Sequence, residues 1–253
     1  HSKKSKNTLA SNAVYDLVLN KEDLWIATQA GLNKLNITTK EFHTYVYDPA
    51  DRYSLSNNQT RVIFNDNQGS IWVGNEGGSI NKVLNRKEFI TYNYRADKDN
   101  GLSNNLIRAL YEDDKGIIWV GTQGGGLNKI DRKRNSIQIY NTDVNSAIRL
   151  SSNDLSAIYK DKDGIYWFGF WGGGIDKYDP KTKRTKKYVH TGENSVSDNR
   201  IQVFHEDRFG VFWVGTENGL STFNKKSENW ERFGKGSARL NGNTIQGKAF
   251  IEG

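Results

Sequence analysis

The 253-residue chain has no cysteine, no methionine and only two prolines. The lack of cysteine excludes disulfide bonds and thiolate chemistry, although it does not identify a redox compartment. No window approaches ~20 consecutive apolar residues, so no segment is predicted to span a membrane. No signal peptide stands at the start, and there is no initiating methionine, so we expect a piece of a longer protein.

Residues for metal binding or catalysis are also scarce. The four histidines are scattered without the spacing of metal ligands, so we predict no metal site and no cofactor. Asp161-Lys-Asp-Gly164 resembles the start of a calcium loop, but the downstream Glu is missing, and we interpret the segment as a hairpin turn. No Ser lies in a Gly-x-Ser-x-Gly setting. We therefore predict no catalytic residue.

The net charge of +7 raises the question of nucleic-acid binding. The basic residues do not form a stripe, however. They collect once per repeat at one type of turn, as in Arg132-Lys-Arg134 and Lys225-Lys226. Such runs usually form a solvated face, and no nucleic-acid partner is predicted.

The chain contains five copies of one tryptophan-containing motif. Its tryptophans, Trp25, Trp72, Trp119, Trp167 and Trp213, are spaced 47, 47, 48 and 46 residues apart. The fullest copy is Trp119-Val-Gly-Thr-Gln-Gly-Gly-Gly-Leu-Asn-Lys-Ile-Asp131, and a second motif, typified by Leu55-Ser-Asn-Asn58, precedes every copy. A fixed period of roughly 20–50 residues is typical of a repeat architecture.

One repeat predicts four short antiparallel strands. Strand-length segments from Leu106, Ile117, Leu127 and Ile137 are separated by turns rich in Gly, Asp and Asn. Four-stranded units repeated radially form an all-β fold, the β-propeller. We predict a single propeller segment over 1–253, with blades at about 9–53, 54–99, 100–147, 148–193 and 194–238 and a partial sixth at 240–253. Either residues 244–251 complete a five-bladed ring or, as we favour, the chain belongs to a larger one.

The repeated motif resembles the two-component regulator propeller repeat, and the resemblance covers residues 9–253. That repeat builds the extracytoplasmic sensor of bacterial hybrid histidine kinases. The resemblance therefore implies a periplasmic sensor, with seven-bladed propellers followed by a β-sandwich, a membrane helix and an intracellular kinase. It also implies an oligosaccharide or other small polar ligand, a second propeller or the rest of the receptor as partner, and a homodimer of the full receptor.

Strand direction divides each blade into two ends. The turns between strands one and two and between strands three and four share one end, called here the hairpin face. The links between blades and the turns after each repeated Trp share the other end, the link face. We expect the five tryptophans themselves to pack between neighbouring blades rather than to line a site.

The predicted ligand site lies on the link face, where the repeats differ. Three residues past each repeated Asn, and four past each Trp, stand the candidates Tyr15, Arg61, Arg108, Ser156 and Gln202, and Gln29, Glu76, Gln123, Trp171 and Glu217. Polar groups beside an aromatic ring suit a sugar. Trp171 is expected to contact a ligand or a partner propeller. Arg61 and Arg108 could bind an anionic glycan, or simply pair with Glu76.

Two other classes of protein stay open. A propeller glycosidase or lyase would need a paired acid and nucleophile or a histidine base, and neither pattern is evident, so we predict that this segment is not an enzyme. A purely structural interaction scaffold would carry the same Glu and Arg residues. Absence of small-ligand binding would favour the scaffold.

Overall fold

The computed structural model describes residues 8–77, 79–85, 88–93 and 101–233. All regular secondary structure within these ranges is β-strand. Twenty strands form five four-stranded antiparallel sheets, each built from four consecutive strands. The prediction of an all-β fold with four-stranded blades is confirmed. The partial sixth blade at 240–253 lies outside the described residues, and the seven-bladed ring stays a prediction. The described residues include no helix long and apolar enough to cross a membrane.

Each sheet is one blade. Blade 1 consists of β1 (Val14–Asn20), β2 (Asp23–Thr28), β3 (Gly31–Asn36) and β4 (Phe42–Tyr45). Blade 2 consists of β5 (Thr60–Asn65), β6 (Ile71–Asn75), β7 (Ile80–Asn85) and β8 (Glu88–Tyr92). Blade 3 consists of β9 (Ile107–Glu112), β10 (Ile118–Thr122), β11 (Gly126–Asp131) and β12 (Ser136–Tyr140). Blade 4 consists of β13 (Leu155–Lys160), β14 (Tyr166–Phe170), β15 (Gly174–Asp179) and β16 (Arg184–Tyr188). Blade 5 consists of β17 (Ile201–Glu206), β18 (Phe212–Thr216), β19 (Gly219–Asn224) and β20 (Asn229–Phe233).

The chain divides into two compact units. The first contains His1–Thr122 and Asn128–Ile139, and the second contains Gln123–Leu127 and Tyr140–Gly253. Blades 1 and 2 and most of blade 3 therefore belong to the first unit, and blades 4 and 5 belong to the second. In both units the first strand of one blade packs against the first and second strands of the blade before it.

The repeated tryptophans fill the space between blades. Trp72 and Trp167 are fully buried, and Trp25 is 6% exposed. Trp72 packs with Ile107 and Leu110 of the next blade, and Trp167 packs with Ile201, Phe204 and Phe212. Large rings suit this position because they bury much apolar area between short strands. The predicted packing between blades is confirmed for Trp25, Trp72 and Trp167.

The glycine two residues past the Trp in blades 2 and 4 is required by close approach of the next blade. A Cβ atom added to Gly74 would lie 2.6 Å from Ile107 Cγ2, and one added to Gly169 would lie 2.5 Å from Ile201 Cγ2. Both distances are far inside van der Waals contact. The Trp-x-Gly motif therefore records how tightly neighbouring blades pack.

In blades 2 to 5 the Asp that opens the hairpin turn has two structural tasks. In blade 4, Asp161 Oδ1 accepts hydrogen bonds from the backbone N–H groups of Asp163 and Ile165, which closes the turn. Asp161 Oδ2 accepts the indole N–H of Trp167 at 2.8 Å. Asp66, Asp113 and Asp207 bind Trp72, Trp119 and Trp213 in the same way. This aspartate is a structural part of the repeat, in keeping with the hairpin-turn interpretation.

The prediction that the basic turns form a solvated face is wrong for one residue in each of two turns. Arg132 of blade 3 is only 15% exposed and pairs with Asp66 of blade 2 and Glu112 of its own blade. Lys225 of blade 5 is 17% exposed and pairs in the same way with Asp161 and Glu206. The first basic residue of the turn is drawn inward because the two carboxylates it meets are buried and need a cation.

Candidate functional site

The first set of candidate residues occupies a β-bulge in every blade. The register between strands one and two shifts around Tyr15, Arg61, Arg108, Ser156 and Gln202. A bulge leaves one residue outside the ladder and redirects its side chain, and such bulges are common beside functional sites. The bulge explains why this one position varies in blades 3 to 5, where its neighbours in the strand are buried and apolar.

The second set directly follows the second strand of each blade. In blades 1, 2, 4 and 5 its backbone N–H donates to the carbonyl of the residue two positions before the first set. The N–H of Glu76 donates to Gln59 O at 2.8 Å, and the N–H of Glu217 donates to Arg200 O at 3.0 Å. Gln29 and Trp171 make the same bond to Ala13 O and Asp154 O. These bonds bring both variable positions of those four blades to the link face.

In the first unit the structure brings four predicted residues into one cluster. The Arg61 guanidinium lies 4.0 Å from the centroid of the Tyr15 ring and 2.5 Å from Glu76 Oε2. Arg108, from the next blade, approaches Glu76 Oε1 at 3.5 Å. The three charged side chains are 26–29% exposed. Tyr15, Arg61, Glu76 and Arg108 thus form a chain across blades 1, 2 and 3.

This cluster carries a net charge of +1, because two arginines share one glutamate. Hydrogen bonding from Arg61 holds the pKa of Glu76 below its usual value, although burial opposes this, and both arginines add attraction. Burial lowers the pKa of Arg108, and repulsion from Arg61 adds to that effect. Glu76 is therefore ionised at neutral pH. The two arginines therefore pair with Glu76 and still leave an excess positive charge that an anion could meet.

In the second unit the cluster is built around Arg200, which the sequence did not single out. Its guanidinium lies 3.2 Å from Asp198 Oδ2 and 2.9 Å from Glu217 Oε2. Asn218 Nδ2 also donates to Asp198. Burial alone would raise the pKa of Asp198, but the hydrogen bonds from Arg200 and Asn218 hold it below its usual value. Arg200 remains 41% exposed on its side chain, so it can still meet a ligand.

Trp171 lies beside this ion cluster. It forms an isolated antiparallel bridge with Arg200, and its side chain is 47% exposed. The preceding residue, Phe170, is fully buried at a position where blades 1, 3 and 5 carry Thr. One ring of the pair therefore anchors the turn while the other faces solvent. An exposed ring next to hydrogen-bonding groups is the arrangement that packs against the apolar face of a sugar.

Four other candidates hold the equivalent positions in blades 1, 3, 4 and 5. Gln29 is exposed after β2, Gln123 follows β10, and Gln202 occupies the bulge of β17. Ser156 Oγ lies 2.6 Å from Ile201 O and contributes to blade packing. Arg200 was missed because only the third position past each repeated Asn was compared. The first position past it reads Ala13, Gln59, Leu106, Asp154 and Arg200, and this column would have revealed the charged residue.

A buried carboxylate in blade 4 leads to a prediction about pH. Asp176 is fully buried where three sister blades carry Asn, and it accepts hydrogen bonds from the N–H and Oγ of Ser151. Burial raises the pKa of Asp176, and the hydrogen bonds from Ser151 offset only part of this. Asp176→Asn is therefore expected to raise the free energy of unfolding at pH 7 by about 1 kcal/mol.

The sign of this effect should depend on pH. Below the unfolded pKa of ~3.9 the carboxyl is neutral in both states, so the variant gains nothing. The cost of the wild-type carboxylate appears as the pH rises through its raised folded pKa. Urea unfolding of wild type and variant at several pH values measures this, and an equal difference at every pH would contradict it.

Comparison with known proteins agrees with this arrangement. Residues 54–77, 101–124, 149–172 and 195–218 match the family model of the two-component regulator propeller. These four segments of the chain are therefore similar to two-component regulator propeller repeats. The match covers the link and first two strands of blades 2 to 5, the segments that carry both sets of candidate residues. No curated protein sequence matches the chain.

Among solved structures, the chain resembles extracellular domains of B. thetaiotaomicron regulators. One, from a hybrid two component system, gives a TM-score of 0.77 at 24% identity over 88% of this chain and 30% of the other. Another gives a TM-score of 0.72 at 25% identity over 89% and 31%. The repeat chain therefore spans about a third of the length of these structures. Virginiamycin B lyase from Staphylococcus aureus gives a TM-score of 0.64 at 14% identity over 91% and 73%, which shows a shared fold alone.

Proposed function

We propose that the chain is an extracytoplasmic, ligand-sensing propeller of a hybrid two-component receptor. In this proposal it lies in the periplasm, detects an oligosaccharide and signals to an intracellular histidine kinase. The similarity to extracellular domains of two-component systems supports a sensor role and an extracytoplasmic location. Three further parts of the proposal rest on the resemblance to the repeat family: the intracellular kinase, the periplasmic location and the homodimer.

The exposed Trp171 beside the Arg200 cluster is the observation that supports a sugar ligand. Sugars present an apolar face of C–H groups and a rim of hydroxyls. The Trp171 ring can pack against that face, while Arg200, Asp198 and Glu217 offer donors and acceptors that are already oriented by one another. Because these side chains are held in place before binding, little rotamer entropy is lost when a ligand arrives.

The Arg61–Glu76–Arg108 cluster of the first unit supports a second contact. Its net charge of +1 favours a carboxylate or sulfate group, since guanidinium groups bind such anions in paired hydrogen bonds. Acidic oligosaccharides should therefore bind more tightly than neutral ones if this cluster takes part. That gain should fall as salt is added, because the arginines are partly exposed and screened.

Signalling then requires that ligand favour one packing arrangement over another. A ligand shifts an equilibrium only by the difference in its affinity for the two states. Each blade is tightly packed, so the proposed change lies in how this propeller packs against a second propeller or against the rest of the receptor. A homodimer of the receptor would carry that change to the kinase.

Isothermal titration of the chain against neutral and acidic oligosaccharides tests the proposal. We expect saturable binding to at least one oligosaccharide without its cleavage, checked by chromatography of the recovered ligand. Cleavage or elimination of the sugar would replace the proposal with the enzyme alternative. Absence of binding across both sets would favour a structural interaction scaffold.

A further inference from the structure

A pocket on the hairpin face lies between blades 1 and 2, at the opposite end of these blades from the link-face cluster of the first unit. It has a volume of about 220 Å³. The hairpin of β1 and β2 contributes Asn20, Asp23 and Trp25 to its lining, β3 contributes Lys34, and blade 2 contributes Ser70 with apolar side chains. All of these residues belong to the first unit. Nothing in the proposed sensing of an oligosaccharide uses this pocket.

Blade 1 departs from the repeat at Asn20, which lines this pocket. In every other blade the residue at this position is the turn aspartate, and it accepts the indole N–H of the repeated Trp at 2.8–3.0 Å. Asn20 occupies that position in blade 1, two residues beyond Val18, which pairs with Trp25. Its amide instead donates to Gly69 O of blade 2 at 3.1 Å.

The indole N–H of Trp25 is left without an acceptor among the residues that the structure describes. Trp25 is 94% buried, since only 6% of it is exposed, and it lines the pocket. Its nitrogen is not among the fully buried side-chain atoms that lack a hydrogen-bond partner in the described ranges, so it keeps some solvent exposure. A buried indole N–H usually has a partner, and the Trp25 side chain lines a space large enough to hold a ligand.

Charged groups of both signs lie in the same pocket. Lys34 Nζ is 3.1 Å from Asp23 Oδ2 and 5.8 Å from the centroid of the Trp25 ring, and the Lys34 side chain is 12% exposed. The Trp25 and Tyr45 rings stack at 5.7 Å and form an aromatic wall. The pocket is therefore electrically neutral overall, with a donor side at Trp25 and Lys34 and an acceptor side at Asn20 and Asp23.

We propose that this pocket binds a free α-amino acid with an apolar side chain. Its carboxylate accepts the Trp25 indole N–H and pairs with Lys34, taking the place that the aspartate holds in the sister blades. Its ammonium donates to Asp23 and Asn20 Oδ1, and its side chain packs on the Tyr45 ring and the aliphatic wall. The volume is below the roughly 300–1,000 Å³ of pockets for drug-sized ligands, which matches an amino acid and not an oligosaccharide.

The direct test follows the tryptophan indole N–H signals of the whole chain by ¹H–¹⁵N NMR. Three probes are matched in shape: leucine, 4-methylpentanoate, which lacks the amino group, and isopentylamine, which lacks the carboxylate. Leucine is expected to shift the Trp25 signal in a saturable way, with the two analogues at least about tenfold weaker, as for loss of a charged hydrogen bond. No shift, or equal binding of 4-methylpentanoate, would overturn the proposal.

Variants assign the site. Trp25→Phe removes the N–H but keeps a ring, and Lys34→Met removes the cation, and each should weaken leucine binding at least about tenfold. Lys129→Met is the matched control, because Lys129 also lies 5.8 Å from its Trp, but Trp119 already donates to Asp113. Loss of binding in the control as well would contradict the site.

Asn20→Asp supplies the acceptor found in the sister blades and should close the site. The Trp25 signal should then move toward those of the paired indoles, and leucine should no longer shift it. Trp171→Ala should leave leucine binding unchanged, which separates this pocket from the proposed sensing site. Leucine binding that persists in Asn20→Asp would overturn the proposal.

Discussion

Replacing Arg132 with methionine is expected to lower the free energy of unfolding by about 3–5 kcal/mol, the range for removing one partner of a buried ion pair. Arg132 joins blades 2 and 3 through Asp66 and Glu112, whose side chains are 0% and 4% exposed. Glu112 also accepts the backbone N–H of Asn67 in blade 2. Methionine fills a similar volume but leaves both carboxylates buried without a cation. Urea unfolding followed by tryptophan fluorescence measures the loss.

Arg134→Met is the matched control, since it lies in the same turn. Its side chain is 83% exposed and pairs only with Asp131 three residues away. Exposed pairs of this kind contribute little to stability, so only a small loss is expected. Similar small losses in both variants would contradict the assignment of Arg132 as the link between the two blades.

The loss from Arg132→Met should shrink at low pH. Burial disfavours the Asp66 carboxylate, but hydrogen bonds from Trp72, Ser70 and Arg132 outweigh it and hold the pKa of Asp66 below its usual value. The stability that Asp66 contributes is thus present above the unfolded pKa of ~3.9 and is lost as the pH falls through its folded pKa. Once the Asp66 carboxyl is protonated it no longer needs a cation, so removing Arg132 costs less stability.

Replacing Trp171 with alanine is expected to weaken oligosaccharide binding about 30-fold, the size of a central aromatic contact at an interface. This prediction depends on the proposed sensing function. The ring is 47% exposed, so its removal uncovers little of the core, and the backbone bond from residue 171 to Asp154 O is kept. Titration of wild type and variant with the best oligosaccharide measures the change.

Phe209→Ala controls for the general loss of an exposed ring. Phe209 is 78% exposed in the hairpin turn between β17 and β18, on the hairpin face. Its removal should leave affinity for the oligosaccharide unchanged. Trp171→Phe should retain part of the affinity, because a smaller ring still packs against the sugar. Unchanged affinity in Trp171→Ala would remove Trp171 from the site.

Most of the fold could be predicted from the repeat in the sequence. A period of about 47 residues, four strand-length segments per period and a Trp-x-Gly motif are properties of the chain that can be read without coordinates. They predicted five four-stranded sheets and tryptophans between blades, because each strand is short, local in sequence and paired with its chain neighbour. The positions that vary on the link face were also evident, since a repeat shows at once where its copies differ.

What each variable side chain does was decided by tertiary structure. Arg132 and Arg134 are the same residue type in one exposed-looking turn, yet only Arg132 meets buried carboxylates from two blades. Arg200 joins Asp198 and Glu217 because a bulge and a backbone bond bring separate strands together.

The same reasoning applies to Trp25. Its indole N–H lacks the aspartate partner that the tryptophans of blades 2 to 5 have. That difference accompanies the Asn20 amide, which donates to Gly69 O. Local pattern determines strands and turns. Pairing between blades depends instead on contacts between groups that lie 49 and 66 positions apart in sequence.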